Sequence, residues 1–308
     1  MLKSLWTSDF VLDDGVVLVK KTGARVALTF SLANDIFTWF CFYTLAQAWR
    51  IWRRVTGHKR PTIAFAPDKP RPWYLIWPVM HVAGAKLVDD TSQADIVMHF
   101  DDTTETVSAA PRVSDTARLV NFNCPDISKS FVAAAFERAA GYSLSIDPET
   151  FDGPMVDKSE INATHDGRII VGPTPRETGR AYQRLIDNSI PGGLVEDLRT
   201  VTVGGEPILV FKKRRRIGRR FLNENVEVEL ASVSETFSRE EIALIRRFTA
   251  EIGMDWGGVD VLRDASDGRI YIVDANKTDM GPPVALPLGQ KLRATRRLAR
   301  AFGTRFAP

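Results

Sequence analysis

Asp260, Asp274 and Asn276 are the residues of this chain whose types and spacing most readily act together. The first lies in Gly257-Gly258-Val259-Asp260-Val261-Leu262. The other two lie in Tyr271-Ile272-Val273-Asp274-Ala275-Asn276, and both runs read as strands joined by the acidic turn Asp264 to Gly268. Side chains two apart on a strand share a face, so Asp274 and Asn276 point the same way, and pairing of the strands brings Asp260 beside them. Two carboxylates and an amide oxygen are hard ligands. Magnesium takes such oxygens together with nucleotide phosphates and needs only one or two protein carboxylates. A hairpin with ordinary polar ends is the competing reading, because Asp and Asn are common near turns. A carboxylate flanked by Ile272, Val273 and Ala275 weighs against it, since acids are seldom buried without a partner.

The elements that must hold this pair are marked upstream. Ser238-Arg239-Glu240-Glu241 is a capping box, and Ile242, Ile245, Phe248 and Ile252 recur at helical spacing until Gly253 stops the helix. Asp197 to Val203 and Pro207 to Lys212 alternate across Gly204-Gly205 as an antiparallel pair. Strands at Met155 to Lys158, Arg168 to Val171 and Ala181 to Ile186 come earlier, the first two separated by a loop ending in His165-Asp166-Gly167, a hairpin signal. A helix from Ser130 to Ala140 stops at Gly141. Before it, strand Thr62 to Ala66, a short helix from Pro78 to Ala83, and strands Ala85 to Val88 and Asp95 to Phe100 make a small α/β unit.

With 308 residues and 44% hydrophobic content the chain can bury a core, and its length suits two or three lobes. Net charge is only +3, but it is unevenly spread: Lys212 to Arg220 is densely basic, and five arginines fall between Arg293 and Arg305. Such clusters favour anionic partners locally. Cys41 and Cys124 stand far apart without metal-ligand spacing, so a reducing cytoplasm is expected rather than a disulfide framework. Met1 to Gly15 has no secretory pattern. Val26 to Trp49 is mostly apolar and aromatic, flanked by basic residues and broken by Asn34 and Asp35. Asp35 would cost about 2.5 to 3.5 kcal/mol at the centre of a spanning helix. The segment at 26–54 therefore packs as a long helix on the body or on a second copy in a homodimer, or lies on a membrane surface.

The two strands, the turn between them and the sequel Lys277-Thr278 with Gly281 resemble the metal-binding end of the ATP-grasp superfamily, which includes D-alanine-D-alanine ligase, glutathione synthetase and the ribosomal-protein glutamate ligases. The resemblance spans about Thr62 to Pro283, and its specific part runs from Asp260 to Gly281. It implies an α+β chain with an ATP-grasp fold, a small N-terminal α/β lobe and an N-terminal helix. The division it suggests is 1–58 for the extension with the apolar helix, 59–120 for the small lobe and 121–308 for the nucleotide-binding lobes. Asp260, Asp274 and Asn276 would hold magnesium, with Asp274 where the family more often has Glu. Lys129 and Lys158 stand where the family places two lysines on nucleotide phosphates. Lys158 precedes a loop that closes over ATP and is usually glycine-rich; here Ser159 to Gly167 contains one glycine. Ala181 to Asp187 resembles the hinge that recognises adenine and ribose, which implies Gln183, Leu185, Ile186 and Asp187. Asp197-Leu198-Arg199 resembles the Asp-x-Arg of the glutamate-ligase relatives, and Arg199 could bind transferring phosphoryl oxygens bidentately. One of Lys212, Lys213 or Arg214, ending the next strand, is expected beside it, with Lys212 assigned to the nucleotide and Arg214 to the phosphoryl group.

The implied reaction is ATP-dependent ligation. A small-molecule or peptide carboxylate takes the γ-phosphoryl group, and an amine or other nucleophile displaces phosphate from the acylphosphate. A kinase using the same site and an ATP-binding module without turnover remain alternatives. Nucleic acid is not expected, because no aromatic residue interleaves Lys212 to Arg220.

Overall fold

Among the described residues, short apolar runs punctuated by turn residues build four sheets. The computed structural model describes residues 10–19, 24–27, 29–56, 61–106, 109, 111–164, 166–222 and 225–307. β1 (Phe10–Asp13), β2 (Val16–Val19) and β3 (Ala24–Ala27) form an antiparallel meander whose first turn, Asp14-Gly15, takes the positive φ that two-residue hairpins favour. This sheet has no counterpart in the sequence reading. Because Val26 pairs with Val17, the apolar helix begins later than its composition suggests, as α1 (Phe30–Val55).

β4 (Thr62–Pro67) leads through α2 (Ile76–Ala83) to β5 (Lys86–Leu87), β6 (Ile96–Phe100) and β7 (Arg118–Val120). They form a parallel sheet in the order β5-β4-β6-β7, and β6 is buried along its whole length, as parallel strands covered on both faces are. Gly84, at φ 83°, ends α2. α1 packs on α2: Phe42 and Ala46 are buried, the Trp49 indole donates to the Val82 carbonyl at 3.2 Å, and Tyr43 stacks on Trp77. Among the described residues no helix is long and apolar enough to cross a membrane, so the apolar segment is not a spanning helix.

α3 (Lys129–Ala140) precedes an antiparallel sheet of β8 (Gly153–Ser159), β9 (Arg168–Gly172) and β10 (Arg180–Arg184), ordered β10-β8-β9. His165, in the expected hairpin loop, lies outside the described residues. The largest sheet follows, from β11 (Ser189–Ile190), β12 (Leu194–Val203), β13 (Glu206–Arg216), β14 (Glu227–Ala231), β15 (Trp256–Arg263) and β16 (Ile270–Asn276). Its order is β14-β13-β12-β15-β16, with β11 beside β12. α4 (Val233–Thr236) and the boxed α5 (Arg239–Glu251) precede β15, and α6 (Leu288–Phe306) closes the described chain. β13 does not stop at Lys212 as expected but runs to Arg216. Glu229 and Glu227 on β14 stand opposite Lys212 and Arg214, and opposite charges across a ladder extend the pairing.

The two faces of this sheet have different neighbours. Leu198, Val259, Val261 and Ile272 pack with Phe136 of α3 and Phe248 of α5. On the other face Val201, Val203, Leu209, Phe211 and Trp256 share one core with Ile63, Val79 and Met98 of the parallel sheet and with Phe302 of α6. Strand alternation puts Asp197, Arg199, Lys213, Arg215 and Asp260 on that second face, beyond the end of its apolar part.

Asn121 clips the two sheets together. Its backbone is left-handed, at φ 63°, which Asn tolerates better than most residues. Its buried amide accepts from the Asp255 and Trp256 N–H groups at 2.9 and 2.8 Å and donates to the Trp256 carbonyl at 2.7 Å. Asn121→Gly keeps the backbone geometry but strands those groups, and we expect a loss of about 2 to 4 kcal/mol in urea unfolding. Wild-type stability in that variant would show that the clip is dispensable.

Candidate active site

Register brings the three proposed metal ligands together. Asp260 on β15 stands opposite Asp274 on β16, Gly258 stands opposite Asn276, and Arg199 on β12 stands opposite Asp260 from the other side. Arg199 is buried and reaches two acids: Nη1 lies 2.9 Å from Asp260 Oδ2, and Nη2 lies 2.7 Å from Asp279 Oδ1. The pair crosses the sheet over Gly258. A Cβ there would sit 2.4 Å from Asp279 Oδ2 and 2.6 Å from Arg199 Nε, so only glycine leaves room. Asp279 escaped the sequence reading because it enters from the loop after β16, outside the strand period that marks the others.

The electrostatics follow from this crowding. Burial alone would raise the Asp260 carboxyl, but Arg199, Lys213 and Arg215 outweigh it and hold the group down to about 2. Burial likewise opposes the charge on Arg199, and Asp260 with Asp279 more than offsets it, so its pKa is raised. Burial and the nearby Arg199 push Lys213 down. Asp197 is raised by burial against its ion pair with Arg215. Asp260 Oδ1 and Asp279 Oδ2 are buried without hydrogen-bond partners.

Two lysines come from across the cleft, one from α3 and one from the antiparallel sheet. Lys129, at the start of α3, donates to Asp274 Oδ1 at 2.6 Å and to Asn162 Oδ1 at 2.8 Å. Lys158, at the end of β8, donates to the Val273 carbonyl at 2.9 Å, and burial lowers its pKa to about 8, partly offset by Asp274. The glycine-poor loop after Lys158 is fastened by side chains instead. Glu160 accepts from the Ser130 N–H at 2.9 Å and from the Ser130 hydroxyl, and the Asn162 N–H reaches Thr104 Oγ1 at 2.8 Å.

The four residues expected at a hinge separate. Gln183 is buried, with Nε2 3.4 Å from the Lys129 carbonyl, and both residues line a cleft of about 300 Å³ with Ser130, Ile146 and Arg176. Ile186 is buried in the core against α3 and α5, Leu185 is half-buried, and Asp187 is exposed, accepting from the Ser189 N–H at 3.1 Å.

Two expected site residues are elsewhere. Arg214 faces away from Asp260, where it binds Glu196, Glu227 and Glu229 at 2.8, 2.9 and 3.0 Å. Lys212 shares that far face, within electrostatic reach of Glu235. Because β13 continues to Arg216, alternation gives the site Lys213 and Arg215 in their place.

Asp260, Asp274 and Asn276 fit a hard divalent cation: three oxygen ligands lie on one face, and one buried carboxylate oxygen has no partner. Among the described residues no group of three acids, histidines or cysteines is arranged to hold a metal, and this set is two acids and an amide.

Gly258→Ala should destabilise the protein by about 1 to 3 kcal/mol through the displaced Arg199–Asp279 pair, measurable by urea titration. An unchanged midpoint would remove the close-approach argument. Lys158 yields a pH signature. The folded state releases this proton near pH 8 and the unfolded chain near the ordinary lysine value of 10.5, so the unfolded state binds more protons between them. Stability of the nucleotide-free protein should therefore rise with pH across that window relative to Lys158→Met. Parallel profiles for the two proteins would contradict the burial of the ammonium.

No protein-family model matches the chain, and no curated protein sequence matches it. Among solved structures it is similar to the ATP-grasp ligase PsnB complexed with minimal precursor, at 12% identity and TM-score 0.51, over 80% of this chain and 99% of that one. The same values hold for PsnB complexed with a phosphomimetic variant of its minimal precursor, Mg and ADP. The sheet order around Asp260 and that likeness agree with the resemblance carried by Asp260 to Gly281, and the chain has the ATP-grasp fold.

Proposed function

We propose that this protein is an ATP-dependent ligase that joins a carboxylate to an amine through an acylphosphate. The observation that carries the reading is the convergence of Asp260, Asp274 and Asn276 with Arg199 and Lys213 on one sheet face, opposite Lys129 of α3 and Lys158 of β8. The structure of PsnB with Mg and ADP supports it as a precedent for this fold.

Lys129 and Lys158 would bind the nucleotide phosphates, with Gln183 and the backbone around Leu185 and Ile186 against adenine and Asp187 near the ribose. A substrate carboxylate oxygen attacks the γ-phosphorus, the bond to the β–γ bridging oxygen breaks, and ADP leaves. The amine then attacks the acyl carbon, phosphate departs with the C–O bond electrons, and the amine loses a proton. Arg199 and Lys213 would neutralise the transferring oxygens, a charge-assisted arrangement that strengthens in a site shielded from water. Asp260, Asp274 and Asn276 would hold magnesium, which when bound neutralises charge between ADP and the transferred group. The loop tied to Ser130 and Thr104 would keep water from the acylphosphate. The substrate would enter at the C-terminal ends of β4 and β6, where ligands of parallel sheets bind. There Asp102 accepts from Tyr74 Oη at 2.5 Å and Thr278 Oγ1 at 2.6 Å.

ATP turnover with a panel of carboxylates and amines, read as ADP, phosphate and ligated product, tests this. Asp274→Ala and Asn276→Ala should lose activity by about a hundredfold or more and bind magnesium-ATP more weakly. Lys213→Ala should fall by a similar factor while Arg214→Ala stays within about threefold. Metal-ATP affinity equal to the parent in the first two variants would refute the metal assignment. Phosphorylated carboxylate without ligated product would identify a phosphotransferase.

A further inference from the structure

α1 has two unlike faces. One is packed on α2 through Phe42, Ala46 and Trp49. The other carries Phe30, Phe37, Leu45, Ile51, Trp52 and Val55 into solvent, with Phe30 92% and Val55 80% exposed. At 100° per residue these six fall within one third of the helix circumference, along a rod of about 39 Å. Single exposed apolar side chains are ordinary, but a row of large ones marks a surface covered by a partner.

The charge beside this row identifies the partner's chemistry. α6 lies against α1, with the Arg296 guanidinium 4.9 Å from the Trp49 ring centre, and Trp49 in turn packs on Trp52. Arg293, Arg296 and Arg300 are exposed along one face of α6. In sequence α6 has six basic residues and no acid, and α1 has three arginines against the single acid Asp35. A second copy seated on this face by a two-fold axis would bring two arginine stripes together, which like-charge repulsion disfavours. An anionic lipid surface satisfies both features, taking arginines among its headgroups and aromatic and aliphatic side chains at the acyl boundary.

We propose that the outer face of α1 and the arginine face of α6 dock on an anionic membrane surface, with α1 lying in the plane of the interface. Trp52, exposed on the outer face, stands where indole rings are enriched, between apolar and wet layers.

The test is flotation of the full chain with vesicles of phosphatidylcholine alone and of phosphatidylcholine with phosphatidylglycerol, at low and high salt. Binding to the anionic vesicles only, weakened by salt, is expected. Arg293→Glu with Arg300→Glu should weaken it by roughly thirtyfold or more, and Phe37→Glu with Trp52→Glu should abolish it. These positions are exposed, and circular dichroism confirms that each variant is folded. Absence of vesicle binding by the parent overturns the proposal, as does equal binding by the arginine variant. A dimer in light scattering that Phe37→Glu dissociates, with no vesicle binding, identifies a second copy as the occupant instead.

Discussion

Burying Arg199 between Asp260 and Asp279 is the constraint on which the rest of the site depends. A buried charge is tolerable only when its partners are held at hydrogen-bond distance, and removal of one partner from such a pair costs about 3 to 5 kcal/mol. Three elements meet that demand together. β12 presents Arg199, β15 sets Asp260 directly opposite, and the turn after β16 carries Asp279 back across the sheet. Gly258 supplies the missing side chain that lets the charges cross. The apolar half of the same face fixes the sheet against α6, so the charged half inherits its rigidity.

The other wall of the cleft is built differently. Lys129 and Lys158 are held by Asp274 and by the Val273 carbonyl, both on β16, so the strand that carries two proposed metal ligands also anchors the two lysines proposed to bind phosphate. The segment after Lys158 is fastened by carboxylate, amide and hydroxyl contacts of Glu160 and Asn162. Glu160 occupies the N-terminus of α3, where a negative charge is favoured by the free N–H groups and the helix dipole.

What could be read in the sequence was governed by local period. Asp274 and Asn276 share a strand, and Asp260 lies on its neighbour, so alternation alone placed them on one face, and the capping box of α5 was equally visible. Lys213 rather than Lys212 or Arg214 could not be chosen, because the choice depends on where β13 ends, and that is set by β14 and β12 from elsewhere in the chain. Asp279 and Asn121 act through contacts between distant segments, which no spacing records. The β1–β3 meander was hidden because four-residue strands carry too little pattern to stand apart from the apolar run that follows.

The shared core around Trp256 has a mechanical consequence. Because Ile63, Val79 and Met98 pack in the same cluster as Val201 and Phe302, the parallel sheet and the six-stranded sheet move as one stiff block. Residues of β8, β9 and β10 join none of the core clusters, and their ties to the block at the cleft are hydrogen bonds, from Lys158 to the Val273 carbonyl of β16 and from Gln183 to the Lys129 carbonyl of α3. The soft joint of the molecule is therefore the seam between β8–β10 and β16. Parting that sheet from β16 would break the Lys158–Val273 contact without reaching the core that aligns Arg199 with Asp260.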